Sequence, residues 1–147
     1  MKITVCGSIA FIDEMMEVKL RLEEMGHEVK MPPTEMVDGT GAAIPAKQYY
    51  HFRKTTTQTD GWIWDRKEEA MRNHFNKVMW ADAILILNYD KNNVACHVGA
   101  NTLLEMGLAF HHGKRIYVFD QIPELPCKEE ILGMKPTVID TDLSRIV

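Results

Sequence analysis

The sequence has 147 residues, carries a formal net charge of −4 at pH 7 and is 46% hydrophobic. That hydrophobic content is enough for one sizeable core and excludes a disordered chain, and the lack of a basic run excludes a nucleic-acid polymer as partner. No apolar run approaches the roughly 18 residues that a membrane-spanning helix needs, so a membrane is excluded too. We therefore expect one domain spanning residues 1–147.

The cysteines show neither a CxxC motif nor a metal-ligand spacing. There are three of them, at Cys6, Cys96 and Cys127. An odd number of cysteines in a chain that is not cysteine-dense is typical of a reducing compartment. The polar N-terminal segment is also too short for a signal peptide. We expect a cytoplasmic protein that uses no metal and no organic cofactor.

The first part of the chain predicts a strand, a helix and a second strand. The strands cover residues 3–6 and 28–31, and the helix between them is expected to be capped by Asp13 and ended by Gly26. Apolar residues recur at intervals of three and four along one face of this helix: Met15, Val18, Leu22 and Met25. That spacing is typical of a helix that packs on a sheet.

Residues 34–61 have no regular period and are rich in Gly, Thr and Pro. Connections longer than about 12–15 residues are uncommon in compact domains and are often functional. We interpret this segment as a lid or a subunit-contact arm, in which residues 46–54 could form a short helix. Its aromatic group consists of Tyr49, Tyr50 and Phe52. For these rings we favour packing on the same domain or on a second subunit over stacking on a nucleobase.

The second half of the chain alternates between helix and strand. The predicted elements are a helix over 63–80, a strand over 84–87, a helix from 99, a strand over 116–119, a short helix over 127–134 and a strand over 137–139. Apolar strands separated by helices predict an α/β fold. We expect a doubly wound five-stranded parallel sheet with the flavodoxin-like strand order 2-1-3-4-5.

Glu105 is the strongest catalytic candidate. It lies in the second turn of the helix that begins at Gly99, between apolar neighbours, so we expect it to face a cavity or a partner. Asn101 lies four residues earlier on the same face. Asn88 and Asp90 follow the central strand, and open α/β sheets bind ligands beyond the carboxyl ends of their strands. A carboxylate in such a crevice can serve as the nucleophile of glycosyl transfer.

Two further candidates have an ordinary structural interpretation beside the functional one. Gly7 and Ser8, followed by Ile9, form a turn whose backbone N–H groups could approach an anion, although an ordinary tight turn has the same residues. No GxGxxG motif is present, which argues against a dinucleotide. His74 lies on an apolar helical seam, where a hydrogen-bonded core histidine and a pH-tuned acid or base both fit.

The sequence resembles the nucleoside 2-deoxyribosyltransferase family, which includes the 2'-deoxynucleoside 5'-phosphate N-hydrolases. The resemblance is carried by residues 81–82, 88–90 and 99–114, and residues 6–8 are similar to the start of those hydrolases. It includes a Glu-x-Gly-x-Ala pattern in which the family's Glu attacks the anomeric carbon. The resemblance therefore implies Glu105 as nucleophile, and a dimer or larger oligomer whose sites are completed by a neighbouring subunit.

Three positions depart from the family pattern. His74 stands where the family has a catalytic Asp, seven residues before Ala81, and Gly99 stands where it usually has Asp or Ser. The hydrolases carry a phosphate-binding Arg just after the Gly-Ser turn, where this chain has Ile9 and Ala10. The resemblance thus implies that the nucleophile is kept while its helpers are replaced.

The expected function is cleavage, by hydrolysis or transfer, of the N-glycosidic bond of a nucleoside or nucleotide. Glu105 is expected to be the nucleophile, with His74 and Asp90 as catalytic helpers. The predicted substrate contacts are Gly7, Ser8, Ile9, Asn88, Gly99 and Asn101. The alternative is a non-catalytic nucleotide-binding or sensor module that uses the same crevice, and a flavodoxin-like redox protein is a third interpretation.

Overall fold

The computed structural model describes residues 1–57 and 61–147 of the chain. The strands are β1 (Lys2–Gly7), β2 (Glu28–Lys30), β3 (Glu35–Val37), β4 (Ala43–Pro45), β5 (Ala83–Leu87), β6 (Arg115–Val118) and β7 (Thr137–Val138). The α-helices are α1 (Ile12–Glu24), α2 (Ala46–Thr55), α3 (Gly61–Trp80), α4 (Ala100–His111) and α5 (Lys128–Gly133). Short 3-10 helices cover Ile9–Phe11 and Leu143–Arg145.

The main sheet has five parallel strands in the order β2-β1-β5-β6-β7. Counted along this sheet alone, that is the predicted order 2-1-3-4-5, so the predicted fold class is confirmed. The carboxyl ends of β1 and β5 lie side by side, with Gly7 paired to Leu87. The turn after β1 and the loop after β5 therefore meet at one edge of the sheet.

Helices cover both faces of the sheet because its central strand is apolar on both sides. In β5, Ala83, Leu85 and Leu87 pack in a cluster with the apolar face of α1. The alternate residues Ile84 and Ile86 pack with side chains of α3, α4 and α5. Successive side chains of a strand point to opposite faces, so a continuous apolar run joins the two cores.

The segment over residues 34–61 contains regular structure that the sequence did not predict. β3 and β4 form a small antiparallel sheet, and α2 follows directly. The helix predicted over 46–54 is present, and the favoured packing of the aromatic group holds for Tyr49, whose hydroxyl donates to the carbonyl of Ile63 at 2.7 Å. Residues 58–60 lie outside the described part of the chain. A lid or subunit-contact arm, and a dimer or larger oligomer, stay predictions.

The predicted cap of the first helix was wrong. Ser8 caps the 3-10 turn over Ile9–Phe11 by accepting from the backbone N–H of Ala10 at 3.3 Å. Because this turn runs directly into α1, Asp13 falls inside the first turn of the helix rather than at its cap. Its carboxylate instead forms an ion pair with Lys47 of α2.

Among the described residues, no helix is both long enough and apolar enough to cross a membrane.

Two glycines should respond in opposite ways to substitution by alanine. A Cβ at Gly7 would lie 2.9 Å from the carbonyl oxygen of Leu87 and 3.0 Å from Cε of Met15. Since the backbone of β5 cannot move freely, Gly7→Ala should lower the free energy of unfolding by about 1–3 kcal/mol. A Cβ added at Gly107, inside α4, would lie in open space. Gly107→Ala should therefore raise the free energy of unfolding by about 0.5–1 kcal/mol. Urea unfolding of both variants measures this, and a Gly7→Ala protein as stable as wild type would contradict the packing described.

Candidate active site

A cavity of about 500 Å³ opens where the carboxyl ends of β1 and β5 meet α2, α3 and α4. Crevices at this edge of an open α/β sheet are where such folds bind ligands. Its lining includes the predicted residues Gly7, Ser8, Ile9, His74, Gly99, Asn101 and Glu105. The structure therefore brings together seven of the nine residues that the sequence singled out.

Glu105 is the buried acid of this cavity. Its residue is 3% exposed, and its Oε1 accepts a hydrogen bond of 2.6 Å from Nδ2 of Asn101. Its other oxygen, Oε2, has no hydrogen-bond partner among the described residues. Burial raises the pKa of Glu105 to about 7, because desolvation outweighs the opposing effects of its polar neighbours. Near neutral pH the neutral and ionised forms of the Glu105 carboxyl therefore compete.

A lysine supports the orientation of Glu105 through Asn101. Nζ of Lys67, on α3, donates to Oδ1 of Asn101 at 3.2 Å, which leaves the amide nitrogen of Asn101 facing Glu105. Burial, and then the charge of Arg53, lower the pKa of Lys67 to about 8. Sequence reasoning missed Lys67. The available signal was its place four residues before Met71 and seven before His74, on the apolar seam of α3.

His74 faces Glu105 without forming an ion pair with it. Nε2 of His74 lies 3.8 Å from Oε2 of Glu105, and the residue is 6% exposed. Neither ring nitrogen has a hydrogen-bond partner among the described residues, so His74 is not a hydrogen-bonded core histidine. Burial, followed by the charge of Lys77, lowers the pKa of His74 to about 4. Burial thus favours the neutral form of both His74 and Glu105.

Cys6 completes the buried polar cluster from the sheet side. It is fully buried in β1, and its Sγ lies within 4.8 Å of the nearest donor atoms of His74 and Glu105. Burial, reinforced by the charge of Glu105, holds the pKa of the Cys6 thiol well above its ordinary value. The thiol is therefore neutral, and it faces the carboxylate as a weak hydrogen-bond donor.

Another part of the cavity lining is cationic. Nζ of Lys91 donates to Oγ of Ser8 at 2.7 Å and lies 4.8 Å from the ring centroid of Tyr50. The charged groups of Arg53 and Lys54 lie 5.3 Å and 5.2 Å from the same ring. Burial alone would raise the pKa of Tyr50, but the hydrogen bond and charge of Lys91 outweigh it and lower the pKa. These positive groups create a site suited to an anion.

Two predicted site residues lie elsewhere. Asn88 is fully buried, but its amide donates to the carbonyls of Cys96 and Gln121 and accepts from the backbone N–H of Asp120. Asp90 is exposed and accepts from the backbone N–H of Cys96. Both side chains hold the loops after β5 and β6 in place, and neither lines the cavity. The predicted substrate contact of Asn88 and the predicted catalytic role of Asp90 stay predictions.

The sequence matches no protein-family model and no curated protein. Solved structures with a similar fold include a 2-deoxyribosyltransferase from the psychrotolerant bacterium Bacillus psychrosaccharolyticus, which is 17% identical, with 81% of this chain and 72% of that chain covered and a TM-score of 0.48. Another is the CMP N-glycosidase BcmB of Clostridium botulinum, which is 15% identical, with 94% and 85% covered and a TM-score of 0.46. Identity this low leaves activity to be judged from the side chains of this chain.

The buried carboxyl of Glu105 makes the stability depend on pH. Its pKa is raised from an ordinary value of 4.5 to about 7, so the folded state holds the proton more tightly. The contribution of Glu105 to the free energy of unfolding is fully present below the pKa of this group in the unfolded chain. It is lost as the pH rises through the pKa of the group in the folded protein. Glu105→Gln keeps the neutral shape, and in metal-free buffer it should exceed wild type in free energy of unfolding by about 3 kcal/mol at pH 8 and by less than about 1 kcal/mol at pH 5.

Urea unfolding across this pH range measures the difference between the two proteins. Glu129→Gln, which removes an exposed carboxylate on α5, is the matched control and should show no such trend. A Glu105→Gln variant that is destabilised equally at both pH values would contradict the raised pKa.

Proposed function

We propose that the chain cleaves the N-glycosidic bond of a nucleotide, with Glu105 as the nucleophile. The observation that carries the proposal is the unpartnered oxygen Oε2 of Glu105, buried at the lining of a cavity that also holds cations. A carboxylate oxygen held free of hydrogen bonds is ready to form a bond to carbon. The resemblance of residues 99–114 to the 2-deoxyribosyltransferase family supports the same role.

In the proposed reaction, Oε2 attacks C1' of the sugar while the bond from C1' to the base nitrogen breaks. The bonding electrons leave with the base, and positive charge develops at C1' in the transition state, next to the carboxylate. The product is a glycosyl ester on Glu105. Water then resolves the ester in hydrolysis, or a second base does so in transfer, and either route restores the free carboxylate.

Lys67 and Asn101 are proposed to position the nucleophile. Asn101 binds Oε1 and so fixes the carboxylate plane, which leaves Oε2 as the attacking atom. Lys67 fixes the amide orientation of Asn101 and its charge favours the ionised form of Glu105. Prior orientation of the reacting group lowers the entropy that must be lost at the transition state.

His74 is proposed to act as a general base in the second half-reaction. Its lowered pKa keeps the imidazole neutral at pH 7, so a ring nitrogen can accept a proton from the water that attacks the ester. Its position beside Oε2 is close to where that water must arrive. The family that the sequence resembles has Asp at this place. Burial favours the protonated form of an Asp, which cannot accept a proton, whereas a neutral imidazole can accept one.

The cationic part of the cavity supports a phosphorylated substrate. Lys91, Arg53 and Lys54 surround the Tyr50 ring, and the N-terminus of α4 lies at the cavity through Gly99 and Ala100. Backbone N–H groups at a helix N-terminus favour an anion, and lysine and arginine bind phosphate strongly. We therefore favour a nucleotide over a free nucleoside.

The second candidate function is a nucleotide-binding module that does not cleave its ligand. It is favoured by the raised pKa of Glu105, because burial favours the protonated form of the carboxyl and a protonated carboxyl is not a nucleophile. Bound phosphate would not relieve this, since its negative charge opposes ionisation. Release of free base from a panel of nucleotides, followed by chromatography, distinguishes cleavage from binding alone.

Replacing Glu105 by Gln should abolish cleavage while binding persists. Glu105→Gln keeps the side-chain shape but removes the nucleophilic oxygen, so the turnover rate should fall by roughly 10⁴-fold or more with a small change in nucleotide affinity. The wild-type rate should also rise with pH through about 7, as Glu105 ionises. Chromatography of released base and calorimetry of binding are the measurements, and Glu129→Gln is the matched control. Cleavage by Glu105→Gln at the wild-type rate would leave the binding module as the function.

Removing the positive charge of Lys91 should affect nucleotides and spare nucleosides. A charge-assisted hydrogen bond contributes about 1.5–3 kcal/mol, so Lys91→Ala should raise KM for a nucleoside monophosphate by roughly 10- to 100-fold. KM for the matching nucleoside should change little. Lys128→Ala, which removes a lysine away from the cavity lining, should alter neither value. An equal rise in KM for both substrates would mean that Lys91 stabilises the Ser8 turn and does not bind a phosphate.

A further inference from the structure

Three buried side chains with metal-binding atoms converge at the inner wall of the cavity. They are Cys6 of β1, His74 of α3 and Glu105 of α4, and one ligand atom from each lies within 4.8 Å of the other two. The residues are far apart in the sequence, so no motif spacing predicts the cluster. The sequence predicted no metal site, and this cluster exists because the sheet and two helices meet here.

The atoms of the cluster lack the hydrogen bonds that buried polar groups normally make. Both ring nitrogens of His74 and Oε2 of Glu105 have no partner among the described residues. Sγ of Cys6 makes a long contact of 3.8 Å with the carbonyl of Thr4 and faces the carboxylate of Glu105 only as a weak donor. Most buried polar atoms in proteins are paired, and an unpaired one is unfavourable. Several such atoms around one point indicate a ligand that all three side chains can bind.

We propose that Cys6, His74 and Glu105 bind a divalent transition-metal ion, with Zn²⁺ the best match to these donors, and that the bound ion blocks Oε2 of Glu105. Tetrahedral zinc has bonds of about 2.0–2.3 Å, which place its ligand atoms about 3.3–3.8 Å apart. Nε2 of His74 and Oε2 of Glu105 are already 3.8 Å apart. A thiolate ligand selects against Mg²⁺ and Ca²⁺, which bind oxygen.

Charge balance favours the ion in this buried place. The Cys6 thiol loses its proton to solvent when the sulfur binds the metal, so one thiolate and one carboxylate neutralise the two positive charges. The nearby cations are Lys67 and Lys77. Their amino groups bond to Asn101 and to the carbonyl of Met31 and not to the three ligand atoms of the cluster. A neutral metal cluster is easier to bury than an isolated carboxylate.

The open coordination position of the ion would face the cavity, because His74 and Glu105 both line it. Three protein ligands with one open position are typical of accessible zinc sites. The ion would take the same oxygen that the proposed function assigns to the sugar, so Zn²⁺ should inhibit cleavage. This consequence rests on the proposed function, whereas the metal site itself does not.

Cobalt provides the direct test, because Co²⁺ replaces Zn²⁺ and a cobalt–thiolate bond gives a charge-transfer band in the near ultraviolet. The full chain, stripped with a chelator and kept reduced, is titrated with Co²⁺ without nucleotide. We expect the band to saturate at one ion per chain and to disappear when Zn²⁺ is added. Binding without a thiolate band, or no binding, would overturn the proposal.

Matched cysteine variants locate the bound ion. The double variant Cys96→Ser/Cys127→Ser keeps Cys6 as the sole cysteine and should retain the full band. Cys6→Ser should lose it. If Cys6→Ser does not fold, Glu105→Gln serves instead, and it should weaken Co²⁺ binding by on the order of 100-fold. A band that persists in Cys6→Ser and is lost in the double variant would assign the metal to surface thiols and overturn the proposal.

A cleavage assay with and without Zn²⁺ separates the metal site from the proposed function. Inhibition should follow the Zn²⁺ affinity measured by cobalt displacement. A stoichiometric thiolate band without cleavage in chelator would support the metal site and count against the glycosidase. Cleavage in chelator with no cobalt band would support the glycosidase and overturn the metal site. Bound Zn²⁺ that leaves the cleavage rate unchanged would overturn the assignment of Glu105 as a ligand.

Discussion

The burial of one carboxyl group, that of Glu105, is the constraint on which the site depends. An isolated carboxylate is strongly unfavourable away from water, and its pKa rises until the neutral form competes. Here the Cys6 thiol, the charge of Lys67 and the hydrogen bond from Asn101 offset part of that penalty. The remainder is visible in the pKa of about 7. A stronger donor than the Cys6 thiol at Oε2 would stabilise the charge and remove the reactivity that the proposed reaction needs.

The electrostatic division of the cavity follows from where its elements begin and end. α4 contributes its N-terminus and Glu105 to the cavity lining, while α2 and the loop after β5 contribute Arg53, Lys54 and Lys91. The chain as a whole carries a net charge of −4, so a cationic lining runs against the average surface. Such local reversals raise the local concentration of anions and orient them. In the proposed function, an anionic phosphate bound there would direct the sugar of a nucleotide toward Glu105.

Periodicity predicted the sheet, the helices and the residues that share a helix face with Glu105. Asn101 was found because a spacing of four residues is a local property of a helix. Asn88 and Asp90 lie outside the cavity lining because a strand end fixes where a residue lies and not which way the following loop turns. Cys6, Lys67 and Lys91 escaped notice because their contacts join separate elements. The small sheet of β3 and β4 was missed because its strands are three residues long.

The oxygen Oε2 of Glu105 has three competing partners: a proton, a metal ion and the sugar carbon of a nucleotide. The three compete because the same property, the lack of a hydrogen-bond partner in a buried place, favours all of them. The positive charge of Lys67 opposes the binding of both the proton and the metal ion and favours the free carboxylate. A bound phosphate would act in the opposite direction. Desolvation favours the proton at Glu105, while the charge of Lys67 and the hydrogen bond from Asn101 favour the ionised carboxylate that the proposed reaction requires.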